Sequence, residues 1–401
     1  MKPSTPRRRF LALGAALAAC KTKPPAPVAE TEPSRLGKPV SEYGDRSAFE
    51  TAKRRPLAIR NPEATASLTP LADSRGILTP SSLHFERHHG GVPKIDPASH
   101  RLILHGLVER PLSLSVAEIR RLPAVSRILF VECSGNGSRD WFAKRATNVQ
   151  LSAGLVSCSE WTGVPLKILL EEAGLKREAK WIVAEGADAP RMQRSIPVAK
   201  ALDDILVAWG QNGEALRPEQ GYPLRLVIPG WEGNASVKWL RQLRAVDQPA
   251  MTRDETSKYT DLMADGTSRQ FTFVMDAKSV ITSPSGGQKL DGAGAHEITG
   301  LAWSGRGAIA RVEVTTDGGA TWKPARLDSP RLPMAFTRFH FPWSWDGREV
   351  SIASRAVDET GYEQPPVEAL IAVRGANSNY HNNGIKWWKV GASGEVTHVD
   401  A

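Results

Sequence analysis

Apolar and polar positions along this chain follow two different rhythms, and the change falls near residue 250. Before it, short runs such as Leu102-Ile103-Leu104 and Ile128-Leu129-Phe130-Val131 predict strands, because branched and aromatic residues concentrate there between turn-forming stretches. Helical spacings lie among them. Val164 to Ala173 repeats apolar positions at helical intervals and runs into Gly174, which predicts a short helix with a glycine stop. Val116-Ala117-Glu118-Ile119-Arg120-Arg121-Leu122 predicts another, with Ser115 as its cap. The order is irregular and lacks a repeating strand–helix–strand unit. The stretch from about Leu78 to Val246 therefore reads as mixed α+β rather than a doubly wound sheet.

After about Met251 the helical spacings become scarce. Arg311-Val312-Glu313-Val314-Thr315-Thr316 alternates and runs into the turn Asp317-Gly318-Gly319-Ala320. Phe336 to Phe341 and Val350 to Ala356 predict further short strands, and frequent Gly and Pro turns separate them. This pattern predicts an antiparallel β-sandwich. A mixed domain is followed by an all-β one.

The N-terminus changes the picture. Pro6-Arg7-Arg8-Arg9-Phe10-Leu11 leads into an apolar stretch, Leu11 to Ala19, that is too short to span a bilayer. A basic region followed by a short apolar one makes a signal peptide, and the arginine pair ahead of Phe-Leu matches the twin-arginine type. That route carries proteins that fold first, often around a bound cofactor, so export to the periplasm with a preloaded cofactor is expected. Leu17-Ala18-Ala19-Cys20 resembles a bacterial lipobox, in which the cysteine is lipidated and anchors the protein to a membrane; an ordinary signal end is the alternative. The proline-rich stretch that follows, to about residue 45, reads as a disordered tether. Without the signal's four cations (Lys2, Arg7, Arg8 and Arg9) the net charge falls from +9 to +5. That excess is modest, and no basic run interleaved with aromatics supports nucleic-acid binding.

Three cysteines are present: Cys20, Cys133 and Cys158. Cys158 lies in an apolar context and reads as a buried spare thiol. Cys133 stands where the strand Ile128–Val131 breaks into Ser134-Gly135-Asn136-Gly137, a turn whose glycines let a bulky group approach the main chain. Three readings stay open for it: a structural thiol, a ligand for a soft-preferring metal, or a nucleophile with a histidine such as His89 as base. No CxxC or Cys/His cluster suggests zinc, and no C-x-x-C-H suggests covalent haem, so a redox enzyme here would pass its electrons to another protein. Phe85-Glu86-Arg87-His88-His89 supplies charged groups before a glycine-proline turn. Arg225, Ser236 and Lys238 flank the apolar run Leu226-Val227-Ile228 and the glycine-rich loop after it, which suits an anionic ligand such as a phosphate. A non-enzymatic exported binding module would leave that cluster unexplained.

These separated segments resemble the sulfite oxidase family in order and spacing, from about Gly76 to Lys389. The resemblance implies that Cys133 ligates molybdenum, and that Arg87 faces the substrate oxyanion. It implies that Phe85, Arg87, His89, Cys133, Asp188 (in Glu185-Gly186-Ala187-Asp188), Gln220, Arg225, Ser236 and Lys238 contact the molybdenum–molybdopterin cofactor. The family often has histidine where Gln220 stands. Tyr259, in Ser257-Lys258-Tyr259-Thr260, falls at the family's active-site tyrosine, and Arg306, in Trp303-Ser304-Gly305-Arg306-Gly307, resembles a second substrate arginine. The implied fold is a molybdopterin domain at 46–250, an immunoglobulin-like dimerisation sandwich at 251–375 and a C-terminal tail at 376–401, behind a signal at 1–20 and a linker at 21–45.

Finer matches point within that family to the SoxC-type branch, the molybdenum subunits of sulfane dehydrogenases. They include His84-Phe85-Glu86-Arg87-His88-His89, the run Ser157 to Pro165, the run Asp254 to Leu262, Ile281 to Leu290, and Asn377 to Asn383. The branch implies oxygen-atom transfer to a sulfane sulfur held on a SoxY-like carrier protein, in bacterial thiosulfate oxidation. A SoxD-like c-type cytochrome would take the electrons, in a homodimer or in a heterotetramer with that cytochrome. Oxidation of free sulfite is the alternative.

Overall fold

The computed structural model describes residues 39–57, 64–140, 146–376 and 378–399. The signal, the lipobox Cys20 and most of the expected tether lie outside them. Two compact units result, Met1–Thr51 and Ala52–Ala401. The described part of the first, 39–51, carries bends and a turn. All the chemistry considered below belongs to the second.

Two five-stranded sheets build the first region of that unit. In one, Leu206–Gln211 pairs with Val156–Pro165, Glu214–Ala215 and Arg225–Val227, and Val156–Pro165 pairs in turn with Val125–Glu132. In the other, Leu240–Val246 runs parallel to Arg101–Gly106 and antiparallel to Trp181–Gly186, so the sheet is mixed. Leu102, Leu104, Val164, Leu169, Val207, Leu226 and Leu243 fill the space between them. Each such side chain contributes about 1.5–3 kcal/mol on full burial. Helix Leu166–Ala173 follows Pro165, buries Leu166, Leu169 and Leu170, and stops at Gly174 with φ +69°, where a side chain would be strained. Helix Val116–Ile119 is capped by Ser115, whose hydroxyl accepts from the Glu118 amide while the Glu118 carboxylate accepts from the Ser115 amide.

Antiparallel pairing dominates after residue 268. Lys278–Ser283, Gly294–Trp303, Thr337–Trp345 and Arg326–Leu327 form one sheet; Lys323–Pro324, Ile309–Thr315, Val350–Asp358, Trp387–Val390 and Val396–His398 form another. Ile298, Leu301, Val312, Phe339, Ile352 and Trp388 share one core with them. The segment after residue 375, read from sequence as a tail, supplies the last two of these strands.

That core does not stop at residue 250. Phe130, Val149, Val156 and Cys158 pack into it, while Leu129 and Val131 pack on the opposite side with Phe85, Trp161 and Val227. Successive residues of a strand face opposite ways. Strand Val125–Glu132 is thus apolar without alternation at its end because both of its faces are covered. Continued past Val131, the alternation aims Cys133 at the inner side and Glu132 at the C-terminal region. Cys158 pairs across the strand with Phe130, is fully buried, and its thiol is pushed up to about 12 by desolvation. Both Cys133 and Cys158 are free thiols. No helix among the described residues is long and apolar enough to cross a membrane.

Candidate active site

Cys133 follows directly on the end of its strand. Its amide donates to the Leu155 carbonyl at 2.9 Å, and its carbonyl accepts from the Asn136 amide at 2.8 Å, which closes the turn. The side chain opens into a cavity lined by ten of the eleven residues expected at the site: Phe85, Arg87, His89, Cys133, Asp188, Gln220, Arg225, Ser236, Lys238 and Tyr259. Burial pushes the Cys133 thiol up, and the Arg87 charge pulls it down.

One wall is the segment Phe85–His89. Arg87 donates to the His88 carbonyl through Nη1. Lys238 Nζ reaches the Arg87 carbonyl at 3.2 Å, the Glu219 carbonyl at 3.0 Å and His88 Nδ1 at 2.7 Å. His89 Nε2 lies 3.2 Å from the Tyr259 hydroxyl. Burial, then the charges of Arg87, Lys238 and Arg253, lower His89 to about 4, and burial raises Tyr259 well above its usual value. At neutral pH both groups are therefore uncharged, a neutral phenol sharing a hydrogen bond with a neutral imidazole. Tyr259 holds an unusual φ of +51°, and its ring covers the Arg194 guanidinium at 5.0 Å. Arg194 is itself fixed between Glu232 at 2.9 Å and Glu255 at 3.1 Å.

The opposite wall is cationic. Arg225 opens the strand Arg225–Val227 and points its guanidinium at the carbonyls of Gln220 (3.0 Å), Leu226 (3.2 Å) and Ser236 (3.2 Å), with the Trp161 ring beneath at 4.8 Å. Desolvation lowers it to about 9, and lowers Lys238 well below its ordinary value. Buried charge without a counter-charge is expensive. Among the described residues, the polar contacts of both cations run to carbonyl oxygens and one imidazole; Glu86 and Asp188 act on Lys238 only through space, so an anion bound between the pair would be stabilised. Gln220 donates to the Phe85 carbonyl at 2.9 Å, and the Ser236 hydroxyl accepts from the Ile228 amide at 3.0 Å, so both are held in place. Asp188 accepts from the Met192 amide at 3.1 Å, and burial raises its carboxyl.

Arg306 departs from the expectation. It lines a separate surface cleft with Tyr362 and Arg374. Asp276 takes its guanidinium, with Nη2 to Oδ1 at 2.7 Å, so an exposed ion pair draws this side chain away from Cys133. Sequence reasoning in turn missed His84, His88, Met192, Asn234 and Trp239, which also line the cavity. Among the described residues, His84 Nε2 and Asn234 Oδ1 are buried without a partner. Adjacent histidines were visible in the sequence, but nothing near them told that Lys238 would bind one.

This donor set fits a metal held by an anionic organic group. Among the described residues no three of His, Cys, Asp and Glu converge. A metal at the Cys133 thiolate must bring other donors with it, as a pterin dithiolene does, and the buried cations suit that group's phosphate. Comparison with known proteins agrees. Residues 89–253 match the oxidoreductase molybdopterin binding domain, and 269–387 match the Mo-co oxidoreductase dimerisation domain. The chain is 32% identical to the NADH nitrate reductase of Ulva prolifera over 82% of its own length and 44% of that protein. It is also 32% identical to the sulfite oxidase of Gallus gallus, over 73% of its own length and 69% of that one. The crystal structure of the sulfane dehydrogenase SoxCD from Paracoccus pantotrophus superimposes with a TM-score of 0.90 at 48% identity, covering 92% of this chain and 96% of that one. The cofactor is therefore molybdenum–molybdopterin, and the chain belongs to the sulfite oxidase family of molybdopterin-dependent oxidoreductases.

Proposed function

We propose that this chain is the molybdenum subunit of an enzyme that oxidises sulfane sulfur carried on a protein, in bacterial thiosulfate oxidation, and passes the electrons to a c-type cytochrome. The observation that carries this reading is the Cys133 thiol at a strand end, opening beside Arg87 into a cavity whose lining holds two buried cations bonded to carbonyl oxygens and an imidazole. The 48% identity to a sulfane dehydrogenase over nearly its whole length supports the substrate class.

In this reading Cys133 is the protein ligand of the metal. Phe85, Arg87, His89, Asp188, Gln220, Arg225, Ser236 and Lys238 hold the pterin and its phosphate. When bound, the cofactor supplies oxygen-atom transfer to sulfur. The chain's own groups do the rest. Arg87 presents a guanidinium to the sulfur oxyanion and stabilises charge that develops there. Tyr259 keeps its proton and shares a hydrogen bond with His89 Nε2, which places a neutral phenol where it can hold or pass a proton beside the reacting atoms. Arg306, bound to Asp276, has no part in this scheme.

The all-β region is proposed as an immunoglobulin-like dimerisation domain. A SoxY-like carrier would deliver the sulfur and a SoxD-like cytochrome would dock near the cavity mouth. The N-terminal sequence supports export to the periplasm by the twin-arginine route, with Cys20 as a lipid anchor.

The second reading, oxidation of free sulfite, draws support from the 32% identity to the Gallus gallus sulfite oxidase. Steady-state assay with a c-type cytochrome separates the two. The leading reading expects turnover with carrier-bound persulfide well above that with free sulfite. Substantial sulfite turnover that ignores the carrier would reject it.

A further inference from the structure

Glu132 precedes Cys133, takes no part in the chemistry proposed above, and has every side-chain oxygen engaged. Oε1 accepts from Lys278 Nζ at 2.8 Å and from Asn136 Nδ2 at 2.8 Å; Oε2 accepts from Trp303 Nε1 at 2.6 Å. Lys278 and Trp303 are direct cross-strand partners in the pairing of Lys278–Ser283 with Gly294–Trp303. A single rung of that ladder thus presents two donors, one for each oxygen of the same carboxylate. Glu132 and Trp303 are fully buried and Lys278 is 1% exposed.

The same contacts hold the cysteine turn from inside. Asn136, besides donating to Glu132, closes the turn on the Cys133 carbonyl and accepts from the Leu155 amide at 3.1 Å through its side-chain oxygen. The Glu132 carbonyl accepts from the Gly233 amide at 2.6 Å, and a Cβ at Gly233 would stand 2.8 Å from that oxygen, so the cavity loop closes on the strand only because a glycine is there. The backbone on both sides of Cys133 is therefore tied to groups that Glu132 holds or touches.

We propose that Glu132 is the positioning residue of Cys133 and that the Lys278–Trp303 rung is its seat, so that the C-terminal region sets the direction from which the thiolate meets the metal. The inference rests on Cys133 being the metal's ligand. A buried carboxylate with all its partners in place is costly to displace, which leaves the turn a single position. A shift of the Cys133 Cβ would change the sulfur–metal bond direction without touching the cavity's pterin-facing walls.

The test uses the full chain loaded with cofactor in a competent host. Trp303→Phe keeps an aromatic side chain, though a smaller one, and removes one donor. The double variant Glu132→Gln/Lys278→Met removes the ion pair without leaving either charge buried alone. Pterin and molybdenum content, the thiolate-to-molybdenum charge-transfer absorption, kcat and KM are measured for each. Both variants should keep their pterin, show a displaced absorption band and lose about 10- to 100-fold in kcat with KM nearly unchanged, as expected for a misdirected reacting group. A wild-type band and wild-type kcat would overturn the proposal, whether or not Tm falls, and would leave Glu132 a clamp for the fold alone. If the double variant does not fold, Trp303→Phe decides by the same criteria. A wild-type protein with the thiolate band but no turnover of sulfane sulfur would sink the substrate reading and leave this test intact.

Discussion

Lys238 Nζ lies 2.7 Å from His88 Nδ1, although the two residues are 150 positions apart in the chain. An ammonium donates, so Nδ1 is the acceptor and the ring's proton sits on Nε2, which donates to Glu86 Oε2 at 2.8 Å. This relay fixes the Phe85–His89 wall against the cationic wall. It also spends the Lys238 hydrogens on neutral acceptors, so the carboxylates of Glu86 and Asp188 answer its charge only from a distance, a state an anionic cofactor would relieve.

Lys238→Met should therefore lower cofactor retention. A charge-assisted contact is worth about 1.5–3 kcal/mol, or roughly 10- to 100-fold in affinity. Pterin and molybdenum content of the purified variant, compared with wild type, checks this. Full occupancy would remove Lys238 from the cofactor site.

Cys133→Ser should abolish turnover while leaving the circular dichroism spectrum and pterin content close to wild type. The hydroxyl occupies the same place at the strand end but is a poor substitute for thiolate at this metal. Near-normal activity in the serine variant would make Cys133 structural.

Arg87→Gln should reduce kcat/KM by about 10- to 100-fold, because it removes a charged donor and keeps most of the side chain's size. The variant also loses the charge that draws the Cys133 thiol down, so that thiol should titrate higher in cofactor-free protein. Unchanged kinetics would deny Arg87 any contact with substrate.

The cofactor-free protein should lose stability as the pH falls. His84 is buried with its Nδ1 donating to the Phe85 carbonyl at 3.0 Å, and burial lowers it from 6.5 to about 3. Between those values the unfolded chain binds a proton that the folded one does not, so this contribution is complete above 6.5 and declines as pH drops toward 3. The slope from this one group is at most about 1.4 kcal/mol per pH unit. Denaturant unfolding at several pH values, with His84→Phe as reference, reads it. Equal slopes in the two proteins would mean that His84 is not buried neutral.

Light scattering tests the assembly. A chain lacking residues 1–38 should run as a two-fold pair at micromolar concentration, as the match of 269–387 to a dimerisation domain suggests. A monomer, with or without cytochrome, would refute the pairing.

How much of this was legible in the sequence follows from the range of the forces involved. The strand ending at Cys133, the Ser115 cap, the Gly174 stop and the antiparallel character after residue 268 were readable because each depends on neighbours a few residues away. Family motifs carried ten cavity residues from five separated segments, but as a set of expectations without mutual geometry. Tertiary structure alone decided which distant groups meet. It bound Arg306 to Asp276, in a cleft with Tyr362 and Arg374, instead of placing it in the cavity lining. It turned the expected tail into strands Trp387–Val390 and Val396–His398, completing a sheet edge that no local signal announced. It also set His88 on Lys238, and Glu132 on Lys278 and Trp303. Local propensity depends on each residue and its near neighbours, whereas these pairings depend on long loops closing and on both faces of one strand being covered, which no window of sequence contains.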